Sequence, residues 1–401
     1  MEQEQQNQTL STGRRLWMAI LLGSLAAFGP LTVDMYLPGF PSIAQDLQTN
    51  ASLVQLSLTA CLLGLASGQL VIGPISDMKG RRKPLLAALL TYFAASLLCV
   101  LAPSIWILIL GRFIQGFAAS AGIVISRAVV RDLYSGKELT KFFALLMLVN
   151  GLAPILAPAS GGIVLNYTTW EGIFVLLSVV GIIMFITVLV ALPETLTEEN
   201  RSQTGIKKTI LTFGDLIKDK PFLGYSLAQG LIMGGVFAYI SGSPFVFQGI
   251  YGLSEQAFGF LLAFNGLGII IGSQTTGRLA GIVAERKLLL FGLIMTSSAS
   301  TFLMVMTVIE APVIFLIVPL FLIVTSVGFV NTTSFSLAMA TQGHRAGSAA
   351  ALLGLLPFVL GSITAPLVGI AGESTAVPMG VIIMMTNIAA LSANLLLVRQ
   401  R

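Results

Sequence analysis

The chain has 401 residues, of which 55% are hydrophobic and only 10% are charged, against about 25% charged residues in an ordinary soluble domain. Together with a mean hydropathy of +0.91, this composition excludes a water-soluble fold. The net charge of +5 would suit a nucleic-acid-binding protein, but the positions of the charges argue against that class. The apolar runs are too long and too continuous for barrel strands, so we expect an all-α membrane protein.

Twelve apolar runs have about the 20-residue length that a helix needs to cross a bilayer core. In chain order, the predicted spans are residues 16–37, 52–75, 84–102, 104–126, 139–164, 168–192, 222–248, 256–277, 286–308, 311–338, 346–369 and 375–397. When the N-terminus is placed in the cytoplasm, 21 of the 22 Lys and Arg residues lie in inner segments and none lies in an outer loop. This distribution follows the positive-inside rule and predicts a multi-pass cell-membrane protein with both termini cytoplasmic.

The longest polar interval divides the twelve spans into six and six. The predicted parts are a cytoplasmic tail at 1–15, a six-helix bundle at 16–192, a cytoplasmic central loop at 193–221, a second six-helix bundle at 222–397 and a tail at 398–401. Two similar bundles around a central site are a known transporter plan. The alternative is a single irregular bundle with one long loop.

Two charged side chains, Asp34 in the first span and Arg112 in the fourth, lie within otherwise apolar runs. A charge at membrane depth is costly and is rarely present without a task. A helical rise of about 1.5 Å per residue would place Asp34 roughly 5 Å and Arg112 roughly 12 Å inward. We predict that they face one cavity and influence each other. Alternatively, Asp34 caps a turn near a helix end marked by Pro41, and Arg112 is a structural residue bonded to backbone carbonyls.

A glycine-rich, basic segment follows the second span. Its candidate gate residues are Gly73, Asp77, Gly80, Arg81 and Arg82. The glycines allow a tight turn and close helix approach, and the aspartate can accept hydrogen bonds from arginine or a helix N-terminus. Such contacts would latch the two bundles on the cytoplasmic side. The alternative, a basic loop that obeys the positive-inside rule, explains the cations but not the acid and the glycines.

The fifth span combines helix-breaking and small residues. They are Gly151, Pro154, Pro158, Gly161 and Gly162. Prolines remove backbone donors and bend a helix, whereas glycines let another helix approach closely. This pattern predicts a pivot and seal between the bundles, with ordinary small-residue packing as the alternative.

These motifs resemble those of one transporter family. Gly73-x-x-x-Asp77-x-x-Gly80-Arg-Arg-Lys is similar to motif A of the major facilitator superfamily, Gly111-Arg-Phe-Ile-Gln-Gly116 to motif B of its proton-driven members, and the fifth-span pattern to motif C of its antiporters. Asp34-Met-Tyr-Leu-Pro38 resembles the signature of the bicyclomycin/chloramphenicol-resistance (Bcr/CflA) subfamily. The resemblance implies twelve transmembrane helices in two pseudo-symmetric six-helix bundles.

The same resemblance implies that spans 1, 4, 7 and 10 surround a substrate cavity. The candidate cavity residues are Met35, Tyr36, Gln115, Gln229, Met233, Phe237, Tyr239 and Asn331. Aromatic and methionine side chains form adaptable apolar surfaces that suit varied ligands. Each residue taken singly is also compatible with ordinary packing.

We therefore predict an exporter of drugs or other small amphipathic molecules that exchanges them for protons by alternating access. Asp34 would carry the proton and Arg112 would bias it towards release. An exporter of one endogenous metabolite is the alternative on the same scaffold. A channel would need pore-lining charges or a filter loop, and an enzyme would need a nucleophile–base pair or metal ligands at depth. We expect no enzyme activity, cofactor or metal, and a monomer whose partners are its substrate, protons and the bilayer, not nucleic acid.

Overall fold

The computed structural model describes residues 12–134, 136–201, 206–340, 342, 346–371 and 374–398. Most of the predicted terminal tails therefore lies outside the described residues. Within them the chain is helical, and no named strand occurs. Eleven of these helical segments are long and apolar enough to cross a membrane, and the fifth predicted span forms a further helix of 30 residues. The all-α, multi-pass architecture is confirmed.

The first group of helices corresponds to spans one to six. It comprises α1 (Thr12–Ala26), α2 (Phe28–Asp34), α3 (Phe40–Asp46), α4 (Ala51–Lys79), α5 (Arg82–Val100), α6 (Ile105–Leu133), α7 (Gly136–Leu165) and α8 (Trp170–Ala191). A 3-10 turn at Leu37–Gly39 joins α2 to α3. The first span is thus three short helices in series, and the other five are single helices.

The second group corresponds to spans seven to twelve and is preceded by a short amphipathic helix. The helices are α9 (Ile206–Lys218), α10 (Lys220–Pro244), α11 (Glu255–Leu279), α12 (Glu285–Val308), α13 (Ile314–Met339), α14 (Ala346–Leu367) and α15 (Val377–Leu397). A π-helix at Phe245–Ile250 continues α10, and a 3-10 turn at Val368–Ala371 continues α14. Helix α9 occupies the predicted central loop and buries Phe213 and Leu216 against α10 and α14.

The predicted end of the first span is wrong. Pro41 does not end a helix, because it lies in the first turn of α3, where the missing N–H would have no partner in the helix anyway. The helical chain therefore continues to Asp46, and the whole of Trp17–Asp46 forms one candidate membrane span. The predicted end of the fourth span is also too early, since α6 continues from residue 126 to Leu133.

The two groups of helices meet along two pairs, α4 with α14 and α7 with α11. We call the end that carries Asp46 and Glu255 the predicted outer end, and the end that carries Arg81 the predicted inner end. Three side-chain hydrogen bonds join the described residues of the two groups, and all three lie near the predicted outer end. They are Ser42 Oγ to Glu255 Oε1 (2.7 Å), Gln248 Nε2 to the Pro38 carbonyl (3.0 Å) and Gln55 Nε2 to the Ser241 carbonyl (3.3 Å).

Glycines of α7 and α11 bring the backbones into contact at this outer seam. A Cβ on Gly162 would lie 2.7 Å from the Glu255 carbonyl oxygen, and a Cβ on Gly259 would lie 2.5 Å from that of Pro158. Further inward, a Cβ on Gly266 would lie 2.8 Å from a side-chain atom of Ile155, and a Cβ on Gly151 would lie 3.8 Å from a side-chain atom of Ile270. The two helices therefore meet through their backbones at the predicted outer end, which is closed, and through side chains further inward.

Candidate proton-coupling and substrate site

Arg112 is enclosed by protein two turns into α6, and none of its surface is exposed. Its Nη2 donates to the Thr32 carbonyl of α2 at 2.7 Å, and its Nη1 donates to Gln115 Oε1. The guanidinium carbon lies 3.9 Å from the ring centroid of Tyr36 and 5.6 Å from that of Phe174. A cation over aromatic faces is stabilised by the ring quadrupoles. The arginine is thus held by a carbonyl, an amide and two rings rather than by a carboxylate.

Neutral side chains extend this arrangement across the first group of helices. Gln115 Nε2 donates to Ser96 Oγ of α5 at 2.8 Å, the hydroxyls of Thr32 and Tyr92 lie 2.9 Å apart, and the Tyr36 hydroxyl lies 3.2 Å from Ser57 Oγ. Together with Arg112 these residues form what we call the Arg112 network. Ser57, Tyr92 and Ser96 were not predicted from the sequence. Polar residues within apolar spans are the signal that marks them.

Asp34 ends helix α2, and 7% of its surface is exposed. Its carboxylate has no hydrogen bond or ion pair of up to 4.0 Å to any part of the chain that the structure describes. Arg112 nevertheless donates to the carbonyl of Thr32, two residues before Asp34 in the same helix. The carboxylate is therefore enclosed on a helix that also binds a fixed cation, and it forms no described ion pair with that cation.

The chain stays helical for twelve residues beyond Asp34, with one 3-10 turn between α2 and α3. The carboxylate therefore lies up to about 18 Å along the chain from the end of α3. Asp34 also accepts no bond from a described backbone N–H, which argues against a cap role. The alternative that Arg112 is a structural residue stays open, because its side chain does bind a backbone carbonyl, that of Thr32.

The predicted cavity residues of the first group are enclosed. Met35 is 3% exposed, and its carbonyl oxygen lies against Gly161 of α7. Tyr36 and Gln115 have no exposed surface and belong to the Arg112 network. In this closed arrangement these three residues support the charged pair and do not line an open surface.

The predicted cavity residues of the second group fall into two sets. Gln229 and Met233 are half-buried on one face of α10, and Asn331 of α13 approaches Met233 with its Nδ2 3.7 Å from the sulfur. Phe237 is 5% exposed and has its ring centroid 6.0 Å from that of Phe358. Tyr239 is 2% exposed, and its hydroxyl accepts a bond of 2.7 Å from Asn265 of α11. Thus Gln229, Met233 and Asn331 come together, whereas Tyr239 packs between helices.

The basic segment after α4 closes a cluster at the predicted inner end. Gly80 has φ +90°, a conformation that favours glycine, and Glu194 lies where its side chain would be. Arg81 is 2% exposed, and it pairs with Asp77 of α4 and, at 2.8 Å, with Asp132 of α6.

Glu194 completes this cluster from the chain that follows α8. Its carboxylate accepts the backbone N–H groups of Arg81 at 2.7 Å and Arg82 at 3.2 Å. Partial burial acts to raise the pKa of Glu194, but bonds from Arg81, Leu196, Arg82 and Thr195 outweigh it and hold that pKa below its usual value. Every described partner belongs to the first group or to the chain directly after α8, so in this structure the segment does not latch the two groups together. Asp77 and Arg82 keep partners within that group as well, and Gly73 lies 3.5 Å from Val124 of α6.

The small residues of α7 face in two directions. Pro154 and Pro158 are inside the helix. Gly162 faces Glu255 of α11 across the seam between the groups, whereas Gly161 faces the Met35 carbonyl within the first group. The described residues hold no group of three or more His, Cys, Asp or Glu side chains that could bind a metal ion.

Two groups of membrane helices, the first of which buries a charged network, are an arrangement typical of a transporter. The pattern of the Major Facilitator Superfamily matches residues 16–366, and the chain belongs to that superfamily. Two solved structures share the fold. The xylose transporter XylE from E. coli has a TM-score of 0.72 and 12% identity, over 95% of this chain and 97% of that chain. A bacterial homolog to the human lysosomal transporter Spinster, inward-facing and unoccupied, has a TM-score of 0.72 and 14% identity, over 97% of this chain and 96% of that chain.

Curated relatives are similar over most of the chain. The uncharacterized MFS-type transporter YdgK of Bacillus subtilis is 51% identical over 94% of both chains. The bicyclomycin resistance protein homolog of Haemophilus influenzae is 31% identical over 90% of both. The chloramphenicol resistance protein of Pseudomonas aeruginosa is 30% identical over 90% of this chain and 85% of its own.

Proposed function

We propose that this transporter exports drug-like small molecules in exchange for protons by alternating access, as a member of the Bcr/CflA subfamily. The observation that carries the proposal is the enclosed, unbonded carboxylate of Asp34 beside the fixed cation of Arg112. The names of the relatives that confer bicyclomycin or chloramphenicol resistance support drug export. We further propose a monomer in the cell membrane with both termini cytoplasmic.

The coupling step depends on two opposing influences on Asp34. Enclosure without water favours a neutral carboxylic acid, whereas a nearby cation favours the carboxylate. Arg112 stays protonated at any physiological pH and is fixed by Thr32 and Gln115. A change in the hydration of Asp34, or in its distance from Arg112, would therefore move the proton on or off.

Alternating access supplies such a change. In the present state the seam is closed at the predicted outer end, since Gly162 of α7 lies against the Glu255 carbonyl of α11. When the two groups of helices separate at the outer end, water reaches the turn that carries Asp34, and a proton can bind from that side. Each proton that moves inward gains about 2.3 kcal/mol per 100 mV of membrane potential, which can drive the export of a neutral cargo.

The test is an efflux and proteoliposome assay on the intact chain and the Asp34→Asn variant. Chloramphenicol serves as the probe, with an internal pH dye in the vesicles. We expect the intact chain to move protons when chloramphenicol is added and Asp34→Asn to lose uphill efflux by at least about tenfold while it still inserts. The control is Glu310→Gln, which removes an exposed outer carboxylate and should leave efflux unchanged.

Three outcomes would contradict the proposal. Equal uphill efflux by the intact chain and Asp34→Asn would show that Asp34 does not carry the coupled proton. Steady ionic current without any cargo would indicate a channel. Coupled transport restricted to one endogenous metabolite, across a panel of unrelated drugs, would favour a dedicated exporter on the same fold.

A further inference from the structure

A row of buried aromatic rings runs from the second group of helices to Arg112. The ring centroid of Phe245, in the π-helix that continues α10, lies 6.1 Å from that of Phe40 in the first turn of α3. The Phe40 centroid lies 5.0 Å from that of Tyr36, and the guanidinium carbon of Arg112 lies 3.9 Å from the Tyr36 centroid. We call Phe245, Phe40 and Tyr36 the aromatic row. It crosses the outer seam and ends on the cation of the proposed coupling site.

Every contact in the aromatic row is attractive and free of solvent. Tilted or edge-on rings with centroids about 4.5–7 Å apart attract each other. The Tyr36 and Phe40 planes are inclined by 63°, and the Phe40 and Phe245 planes by 50°. The cation of Arg112 lies over the Tyr36 ring, whose quadrupole attracts it. All three rings are buried, and in a close-packed interior one such ring cannot shift without disturbing the next.

The backbone that carries the inner two rings is also held by the second group. Tyr36 and Phe40 flank the 3-10 turn that joins α2 to α3, and the carbonyl of Pro38 in that turn accepts Gln248 Nε2 at 3.0 Å. Phe245 and Gln248 belong to one π-helix, and π-helical turns are rare and frequently lie at functional sites. When the two groups separate at the outer end, both contacts are lost together, and the Tyr36 ring loses its support from the second group.

We propose that the aromatic row transmits closure of the outer seam to Arg112, which makes Tyr36 and Phe40 positioning residues of the coupling site. The proposal rests on the proposed function for the part that Arg112 plays in coupling. While the seam is closed, Phe245 supports Phe40, and the Tyr36 ring stays over the guanidinium. When the groups separate, the ring is released and the cation loses one of its fixed contacts. By linkage, a ring held on Arg112 must favour the closed seam by the same factor.

This reverse effect gives a test that needs neither cargo nor a proton gradient. The reporter is the rate at which a water-soluble maleimide labels Ser42→Cys at the outer seam, in the full chain in nanodiscs. The native cysteines, Cys61 and Cys99, are buried and do not compete.

The described ring, hydrogen-bond and cation contacts of Tyr36 all lie within the first group. Tyr36→Leu should nevertheless open the seam and raise the labelling rate about two- to tenfold, the factor that one aromatic pair supplies. Tyr36→Phe keeps the ring and loses only the hydroxyl, so it should retain the slow labelling of the intact row.

Cutting the row at the seam tests whether the effect travels along it. With the row intact, Arg112→Gln should raise the labelling rate as Tyr36→Leu does. In a Phe245→Leu background, Arg112→Gln should change the rate by less than about twofold, the usual error of additivity. The matched control is Phe247→Leu, which removes a buried ring of the same π-helix. The ring contacts of Phe247 are with Tyr251 and Phe258 of the second group, so in this background the full effect of Arg112→Gln should persist.

An unchanged labelling rate in Tyr36→Leu, or an equal increase in Tyr36→Phe, would overturn the proposal. An effect of Arg112→Gln as large in Phe245→Leu as in Phe247→Leu would overturn it as well. If Arg112→Gln aggregates on purification, Tyr36→Leu replaces it in the same comparison. No measurement involves protons or cargo, so a chain that keeps this labelling pattern but does not exchange drug for protons would contradict the proposed function alone.

Discussion

The two groups of helices share one plan but differ in what they bury. The first encloses Arg112 two turns into α6 and Asp34 at the end of α2. In the described part of the second group, charged residues occur only at helix ends and in loops, and the buried polar side chains are neutral, such as Asn265 bonded to Tyr239. Two groups of helices with one plan thus differ in chemistry. The first carries buried charges, and the described part of the second supplies neutral contacts.

Replacing Arg112, a buried charge of the first group, should have the largest effect on coupled efflux and on stability. Arg112→Gln removes the cation from Tyr36 and Phe174 and leaves the Thr32 carbonyl without its donor. A buried acceptor left without its donor typically costs about 1–3 kcal/mol. We expect coupled efflux to disappear and the thermal midpoint of the purified protein to fall.

The matched change in the second group is Tyr239→Phe, which removes one neutral hydrogen bond from Asn265. It should cost about 1 kcal/mol and leave proton-coupled efflux near the level of the intact chain. Equal losses of coupling in both variants would mean that the division of chemistry between the halves does not hold.

A side chain at the outer seam should have an intermediate effect. Gly162→Val places atoms against the Glu255 carbonyl of α11, whereas Gly277→Val places them where no heavy atom lies within 4 Å. Because packed backbones cannot yield without separation, we expect Gly162→Val to shift the protein towards an outward-open state. Accessibility of a cysteine introduced at Ser42 to a membrane-impermeant maleimide measures the shift. Unchanged labelling in Gly162→Val, or equal labelling in both variants, would show that this contact does not control closure.

Replacing Glu194 in the inner cluster should have the smallest effect on stability, and this effect should depend on pH. The folded state holds the pKa of Glu194 below its usual value, so its charged form contributes stability above the unfolded pKa of about 4.3, and this contribution is lost as pH falls through the folded pKa. Because Glu194 is largely exposed, Glu194→Gln should lower the thermal midpoint by about 2 °C or less at pH 7. The difference should vanish at acidic pH. A difference that grows on acidification would contradict the assignment.

The helices could be predicted from hydrophobic runs, but two ends could not. Pro41 is compatible with either the end or the first turn of a helix, and only packing against the rest of the chain decides between them. Arg127, Arg131 and Asp132 interrupt the apolar run of the fourth span, yet arginine is a good helix former and α6 continues through all three.

The site could be predicted only as far as its charges stood out. Asp34 and Arg112 are conspicuous in apolar segments, whereas Ser57, Tyr92 and Ser96 become partners only through the packing of α2, α4, α5 and α6. The distances between helices that are far apart in sequence depend on side-chain fit, which no local pattern encodes. The same reason explains why Tyr239, a predicted cavity residue, instead binds Asn265.

The hydrogen bond from Gln248 to the Pro38 carbonyl has a kinetic consequence. Residue 38 lies four residues beyond Asp34, in the 3-10 turn that joins α2 to α3, so separating the two groups at the outer end releases the stretch of backbone that leads to the carboxylate. If Asp34 carries the proton as proposed, exposure of the acid to the exterior and release of the closure become one displacement with one activation barrier. Such a transporter would have little opportunity to leak protons while shut, since hydrating the acid would already require the movement that admits or discharges cargo.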